Sequence, residues 1–352
     1  MRTSRTVMRT SRAVIRTSRT ARTAKGAVAC LAVIALAAGC SSSGGKDDED
    51  KSGDGGGGGG GTGVNTPRLK IAMVTHSGEG DTFWDIVRSG AKQAARKDNV
   101  QFLYANDKEA KGQAELVQSF VDKKVDGIIV TLAKPEAMRS VLGKAKAAGI
   151  PVVTINSGGE FSEEFGALSH IGQDESVAGE AVGDELDKRG KKKALCVIHE
   201  QGNVSLEQRC AGVKKSFGGS VENLNVEGTN APASQSSISA KLQATKDIDA
   251  VVTLGAPIAA YSVKAKEDTG SKAEIDTFDL NAEVVKRLKA KEVGFAVDQQ
   301  PYLQGYLSVD ELWLHKTNAN VLGGGKPVLT GPALVTGKDV PKLEKYTARG
   351  TR

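Results

Sequence analysis

Residues 69–97 read LKIAMVTHSGEGDTFWDIVRSGAKQAARK. Leu69 to Thr75 is an apolar run with no charge after Lys70, the pattern of a strand buried on both faces. A loop with two glycines follows, from His76 to Asp81. Then Phe83, Ile86, Val87, Ala91, Ala94 and Ala95 recur at helical spacing, with Asp85, Arg88, Lys92 and Arg96 opposite. Strand, loop and amphipathic helix form the unit of a parallel α/β sheet, where ligands sit beyond the carboxyl ends of strands. Asp81, Phe83 and Trp84 are thereby set at the mouth of a cleft. Adjacent helical residues do not share a face, so one of the two aromatics is expected to pack inward. The other is free to offer a flat apolar face to a ligand.

The same alternation continues outward. Apolar strand runs recur at Val100 to Ala105, Gly127 to Thr131, Pro151 to Asn156, Leu168 to Gly172 and Ala194 to His199. Further runs lie near Leu224 to Glu227, Ala250 to Leu254, Glu274 to Phe278 and Val293 to Val297. Amphipathic helices separate nearly all of them, and Tyr302 to Lys316 is expected as a last long helix. Regular β-α alternation implies mostly parallel sheets with helices on both faces. About ten strands exceed what one open sheet usually takes, so two α/β lobes with a cleft between them are expected. The tail from Asn318 onward is rich in Gly and Pro and reads as a lobe-crossing segment.

The chain has 352 residues and a formal charge of +6. That charge is misleading. Residues 1–39 carry eight basic residues and no acidic one, so the 48 basic residues of the whole less these eight leave 40 against 42 acidic. The body is near neutral and gives no reason to expect a nucleic-acid partner. Residues 1–39 read as an export signal, an Arg-rich start followed by an apolar run of 12 residues from Ala27 to Ala38. The run is too short to span a bilayer comfortably. It ends in Leu36-Ala-Ala-Gly-Cys40, which resembles a lipoprotein signal and implies that Cys40 is lipidated and becomes the mature N-terminus. Residues 40–67 hold an acidic cluster and seven consecutive glycines and cannot form a core. They read as a disordered tether. In an exported body, Cys196 and Cys210 are expected to form a disulfide, the alternative being two free buried cysteines. No histidine lies at ligand spacing from either, so no metal site is expected.

No catalytic constellation is found. Each Gly-Lys lacks the Ser/Thr that a phosphate loop needs, and the third glycine of a dinucleotide fingerprint would fall at Phe83. No HExxH and no nucleophile elbow occur. The four histidines (His76, His170, His199, His315) are scattered and read as loop or packing residues. The pattern favours binding over catalysis, with no cofactor.

Several stretches carry a resemblance: Asp81-Thr-Phe-Trp84, Gly149-Ile-Pro-Val-Val153, Ser169-His-Ile-Gly-Gln-Asp174, Arg209-Cys-Ala-Gly212, Thr277-Phe-Asp279 and Asp298-Gln-Gln-Pro301. In this order and spacing, residues 68–334 resemble the type I periplasmic substrate-binding proteins of ABC transporters, in particular the ribose-binding-protein-like sugar receptors. The resemblance implies two Rossmann-like lobes joined by three crossovers, near Gln173–Asp174, near Gln299–Gln300 and in the tail. It implies an N-terminal lobe of residues 68–173 plus 300–330 and a C-terminal lobe of residues 174–299 plus 331–352. Carried residue by residue, it implies ligand contacts from Asp81, Phe83, Trp84, Thr131, Asn156, Gln173, Arg209, Asp279 and Gln299. The implied partners are a sugar or polyol and an ABC permease with its ATPase subunit, the receptor itself being a monomer.

The chemistry suits a polyol. Each hydroxyl donates and accepts, carboxylates and amides match it in a plane, arginine offers fixed donors, and aromatic rings cover C–H faces. Two departures argue against ribose itself. Asn156-Ser157 stands where the ribose receptors have Asp-Arg, and Gly255-Ala256 where they have Asn-Asp. Glu200, Asn203 and Asn230 lie on loops that could supply replacements. A competing reading is a secreted carbohydrate-active enzyme using Asp81 and Asp279 as a carboxylate pair. A sensor that presents ligand to a signalling receptor shares the same fold.

Overall fold

The computed structural model describes residues 66–78 and 81–352. The expected export signal, Cys40 and most of the expected tether lie outside these residues. The described chain runs β1 (Lys70–Thr75), α1 (Thr82–Lys97), β2 (Gln101–Asn106), α2 (Ala110–Asp122), β3 (Gly127–Val130), α3 (Pro135–Ala147), β4 (Val152–Ile155) and β5 (His170–Gly172). It continues through α4 (Glu175–Lys188), β6 (Lys193–Ile198), α5 (Val204–Ser216), β7 (Ser220–Asn225), α6 (Ala231–Ala244), β8 (Ala250–Thr253), α7 (Ala256–Thr269), β9 (Glu274–Phe278) and α8 (Ala282–Ala290). Last come β10 (Phe295–Asp298), α9 (Pro301–Asn318), β11 (Val328–Leu329), β12 (Ala333–Thr336) and α10 (Val340–Ala348).

The strands form two six-stranded sheets, in the orders β11-β5-β4-β3-β1-β2 and β12-β10-β9-β8-β6-β7. Every described pairing is parallel except β10 with β12. The chain passes between the sheets three times, from β5 to α4, from β10 to α9 and from β11 to β12.

Strand alternation builds the core. On β1, Ile71 and Met73 join an apolar cluster with α1 and α9, while Ala72 and Val74 point to the opposite face, under α2 and α3. The second sheet is covered likewise, by α4 and α5 on one face and by α6, α7 and α8 on the other. Four apolar clusters therefore clamp two sheets, and strand ends are held rigidly enough to aim polar groups. Cys196 on β6 and Cys210 on α5 are disulfide-bonded with Cα atoms 5.9 Å apart, tying α5 to its sheet. A closed loop of this length stabilises by on the order of 3 kcal/mol.

Three features differ from the sequence expectation. The tail from Asn318 is more than a crossing segment: it adds β11 to one sheet, β12 to the other and then α10. β7 lies at Ser220–Asn225, earlier than Leu224 to Glu227, because this half-buried edge strand lacks a continuous apolar run. Phe83 and Trp84 are both buried, at 7% and 5% exposure, rather than one in and one out. They occupy the first turn of α1, where the helix end overhangs the sheet, and pack edge to face with ring centroids 5.0 Å apart.

Candidate functional site

A cleft of about 780 Å³ lies between the two sheets. One wall comes from loops after β1, β2, β3 and β4, the other from loops after β6, β7, β8 and β9 with the starts of α5, α6 and α7. The lobes touch around it. The Val204 N–H donates to the Ala133 carbonyl at 3.1 Å, Gly158 N–H to Ser205 Oγ at 3.3 Å, and Gln208 Nε2 to Glu160 Oε1 at 2.5 Å. The two halves are thus closed on each other.

Seven of the nine expected contact residues line this cleft: Asp81, Phe83, Trp84, Asn156, Arg209, Asp279 and Gln299. Asp81 N-caps α1, its Oδ1 accepting the Phe83 N–H at 3.0 Å. Asn156 and Asp279 directly follow β4 and β9 at matching places in the two lobes, and both adopt left-handed backbone, with φ of 63° and 71°. Asn and Asp tolerate that conformation better than most residues, and such strain concentrates at ligand sites. Gln299 bridges them: its Nε2 donates to Asp279 Oδ1 at 2.6 Å and its Oε1 accepts from Asn156 Nδ2 at 3.0 Å.

Arg209 is the most constrained group. Its Nε and Nη2 donate to Glu175 at 2.6 and 2.9 Å, its Nη1 to the Leu254 carbonyl at 3.2 Å, and its guanidinium lies over the Phe278 ring. Burial opposes its charge, but the Glu175 carboxylate more than compensates and holds its pKa above the ordinary value.

Thr131 and Gln173 do not line the cleft. The Thr131 hydroxyl is fully buried, taken up by the His76 backbone N–H at 3.1 Å, His76 Nδ1 at 2.8 Å and Gln113 Nε2 at 3.0 Å. Gln173 turns into the crossover and donates to Glu175 Oε2 at 2.8 Å. Both hold other site residues in place. Asn230 also stays out of the cleft, as the N-cap of α6.

Sequence reasoning missed His76 and Lys134 as cleft residues. His76 packs its ring 5.1 Å from Trp84 and faces Asn203 Nδ2 at 3.3 Å across the lobes. Lys134 reaches over to Glu200 at 3.3 Å. Glu200 and Asn203 do reach the cleft. The one available signal for His76 was position, since it follows β1 directly. The Gly255 departure also has a physical counterpart. A Cβ there would come within 3.0 Å of the His199 ring, so that ring occupies the space a longer side chain would need.

Burial dominates the electrostatics. It pushes Asp279 up to about 7, against the pull of Arg209 and the Gln299 hydrogen bond, with Asp81 adding to the rise. It pushes Asp81 up to about 6, against the Phe83 N–H. Burial lowers His76 and brings His199 to about 4, so both are neutral at pH 7. A carboxyl whose folded pKa is raised binds its proton more tightly folded than unfolded. Its contribution to stability is therefore present at low pH and lost as pH rises through the folded value. Unliganded wild type is expected to gain stability relative to Asp279→Asn as pH falls from about 8 to about 5. Thermal unfolding of both proteins across that range checks this, and a constant difference contradicts it.

Among the described residues, no cluster of three or more His, Cys, Asp or Glu side chains could hold a metal ion, and no helix is long and apolar enough to cross a membrane. The site's chemistry is thus donors, acceptors and aromatic faces converging from two sides.

Comparison with known proteins gives the same picture. Residues 71–319 match the periplasmic binding protein domain model. A carbohydrate transporter from Acidothermus cellulolyticus 11B, solved in complex with myo-inositol, is 48% identical with a TM-score of 0.80, covering 81% of this chain and all of its own. A solute-binding protein from Burkholderia graminis, solved with D-arabinose, shares the fold at 23% identity and a TM-score of 0.71, covering 78% of this chain and 98% of its own. The D-galactose/methyl-galactoside binding periplasmic protein of Haemophilus influenzae is 23% identical over 64% of this chain and 75% of its own length. The chain belongs to the periplasmic binding protein family, in the type I branch whose members bind sugars for ABC transporters.

Proposed function

We propose that this receptor takes a cyclic polyol of the myo-inositol kind, closes its lobes on it, and delivers it unaltered to an ABC permease. The observation that carries this reading is the meeting of Asp81 and Asn156 from one lobe with Arg209 and Asp279 from the other, beside the Trp84 ring. The acceptor-rich lining favours a cyclitol over an aldose. Asp81 and Asp279 both line the cleft, and each of these carboxyl groups, when ionised, needs a donor opposite it. A cyclitol has a hydroxyl on every ring carbon, whereas the ring oxygen of a pyranose only accepts. An unmatched buried pair costs about 1–3 kcal/mol, enough for sharp discrimination. The 48% identical relative that holds myo-inositol supports the same choice.

Calorimetric titration with myo-inositol, D-ribose and D-galactose tests it. The expected result is a Kd of about 10 µM or tighter for myo-inositol and at least a tenfold weaker one for both sugars. Equal affinities, or no heat with myo-inositol, would contradict it. Recovery of the bound compound unchanged separates a receptor from an enzyme built on Asp81 and Asp279.

The receptor works as a monomer held outside the cytoplasmic membrane by lipid on Cys40. The 27 residues from Ser41 to Pro67 lie between that anchor and the body, and we read them from their sequence as a tether. Replacing Cys40 with Ser is expected to move the protein from the membrane fraction to the soluble one. Unchanged membrane retention of that variant counts against the anchor.

A further inference from the structure

The cleft is larger than a single polyol ring. Myo-inositol has roughly 12 non-hydrogen atoms, and even at liquid water's share of about 30 Å³ each they occupy no more than about 360 Å³. That is under half of the 780 Å³ available. The surplus has a direction. Asp279 follows β9 and Asn156 follows β4, while the cleft extends to residues beyond β7 in one lobe and β2 in the other. In each sheet these are three strands apart, in the orders β9-β8-β6-β7 and β4-β3-β1-β2. At about 4.8 Å per strand the slot is about 14 Å long, the span of two six-membered rings rather than one.

The far end differs in character from the near end. Beyond β7 and β2 the cleft is lined by Asn225 and Glu227 and by Lys108 and Glu109, and Tyr261 of α7 adds an aromatic ring to the lining. Glu109 and Glu227 outnumber Lys108 among these residues, and Lys134, whose Nζ donates to the Lys108 carbonyl at 3.1 Å, is paired with Glu200 at 3.3 Å, so this end is not a cationic cradle for phosphate. Its mixture of ring faces and neutral or acidic acceptors matches another sugar.

Building on the polyol reading above, we propose that the far end is a second subsite for a glycosyl unit, and that the receptor accepts a polyol carrying a sugar on one hydroxyl. The near end holds the polyol ring and the far end holds the attached sugar.

The test uses the full purified protein and three probes: myo-inositol, α-galactosyl-myo-inositol and myo-inositol 1-phosphate. The variant is Ala233→Trp, which fills the far end from an exposed position on α6 that offers no polar side chain. The glycoside is expected to displace myo-inositol and to bind about tenfold tighter, with the phosphate weaker than both. In Ala233→Trp the glycoside is expected to lose at least about tenfold in affinity while myo-inositol stays within about twofold, which also shows that the variant is folded. A glycoside that binds more weakly than myo-inositol, a phosphate that binds more tightly than the glycoside, or equal losses for both neutral ligands in Ala233→Trp overturns the second subsite and leaves the polyol reading standing. Failure of myo-inositol and glycoside alike to bind the unmodified protein overturns both.

Discussion

Arg209→Met is expected to abolish measurable polyol binding and to lower the free energy of unfolding by about 3–5 kcal/mol. The guanidinium is 3% exposed and sits against Glu175, itself 5% exposed. Removing the arginine leaves Glu175 charged, buried and without a cation beside it, which is the costly half of breaking a buried pair. The pair as a whole need not be stabilising. Replacing Arg209 and Glu175 together by methionine is therefore expected to restore much of the lost stability and none of the binding. Denaturant titration and calorimetry on the two single variants and the double variant separate these effects. Unchanged affinity in Arg209→Met removes that residue from the site.

Gly179→Val is expected to cost about 3 kcal/mol and to weaken binding at least about tenfold, although Gly179 touches no part of the cleft. Gly179 on α4 and Gly212 on α5 face each other where the two helices meet backbone to backbone. A Cβ on Gly179 would lie 2.2 Å from the Arg209 carbonyl oxygen, and one on Gly212 would lie 2.4 Å from that of Ser176. Backbone atoms cannot rotate away as a flexible side chain can, so the helices must separate. Since α5 carries Arg209, separation moves the guanidinium off its three hydrogen bonds. The first lobe repeats the device, with Gly90 on α1 against Tyr302 and Gly305 on α9 against Val87. Those glycines position Phe83 and Trp84 through α1. A Gly179→Val protein with native affinity would show that α5 can shift without moving the site.

The sequence made the two sheets legible because their inner strands are buried on both faces. Runs such as Gly127-Ile-Ile-Val130 and Ala250-Val-Val-Thr253 carry at most one small polar residue to blur them. β11 and β12 were hidden for the opposite reason. Val328–Leu329 is two residues long and pairs only because β5 lies beside it, so tertiary contact makes the strand and local propensity does not. At the site, strand order told which residues stand near the cleft but not which way each side chain turns. Thr131 and Asn156 both follow strands of the same lobe, yet Thr131 is captured from behind by His76 and Gln113 while left-handed backbone turns Asn156 toward Gln299. Gln173 was read as a contact and instead buttresses Glu175. His76 escaped notice because a lone histidine after a strand has the same sequence appearance whether it packs or lines a cleft.

Side chains of both lobes are expected to grip one ring-shaped polyol. The most direct measurement is a crystal structure of the protein grown with myo-inositol. The predicted electron density is one ring beside Trp84, within hydrogen-bond distance of Asp81 or Asn156 on one side and of Arg209 and Asp279 on the other. A ring held by one lobe alone, or bound away from these residues, would contradict it.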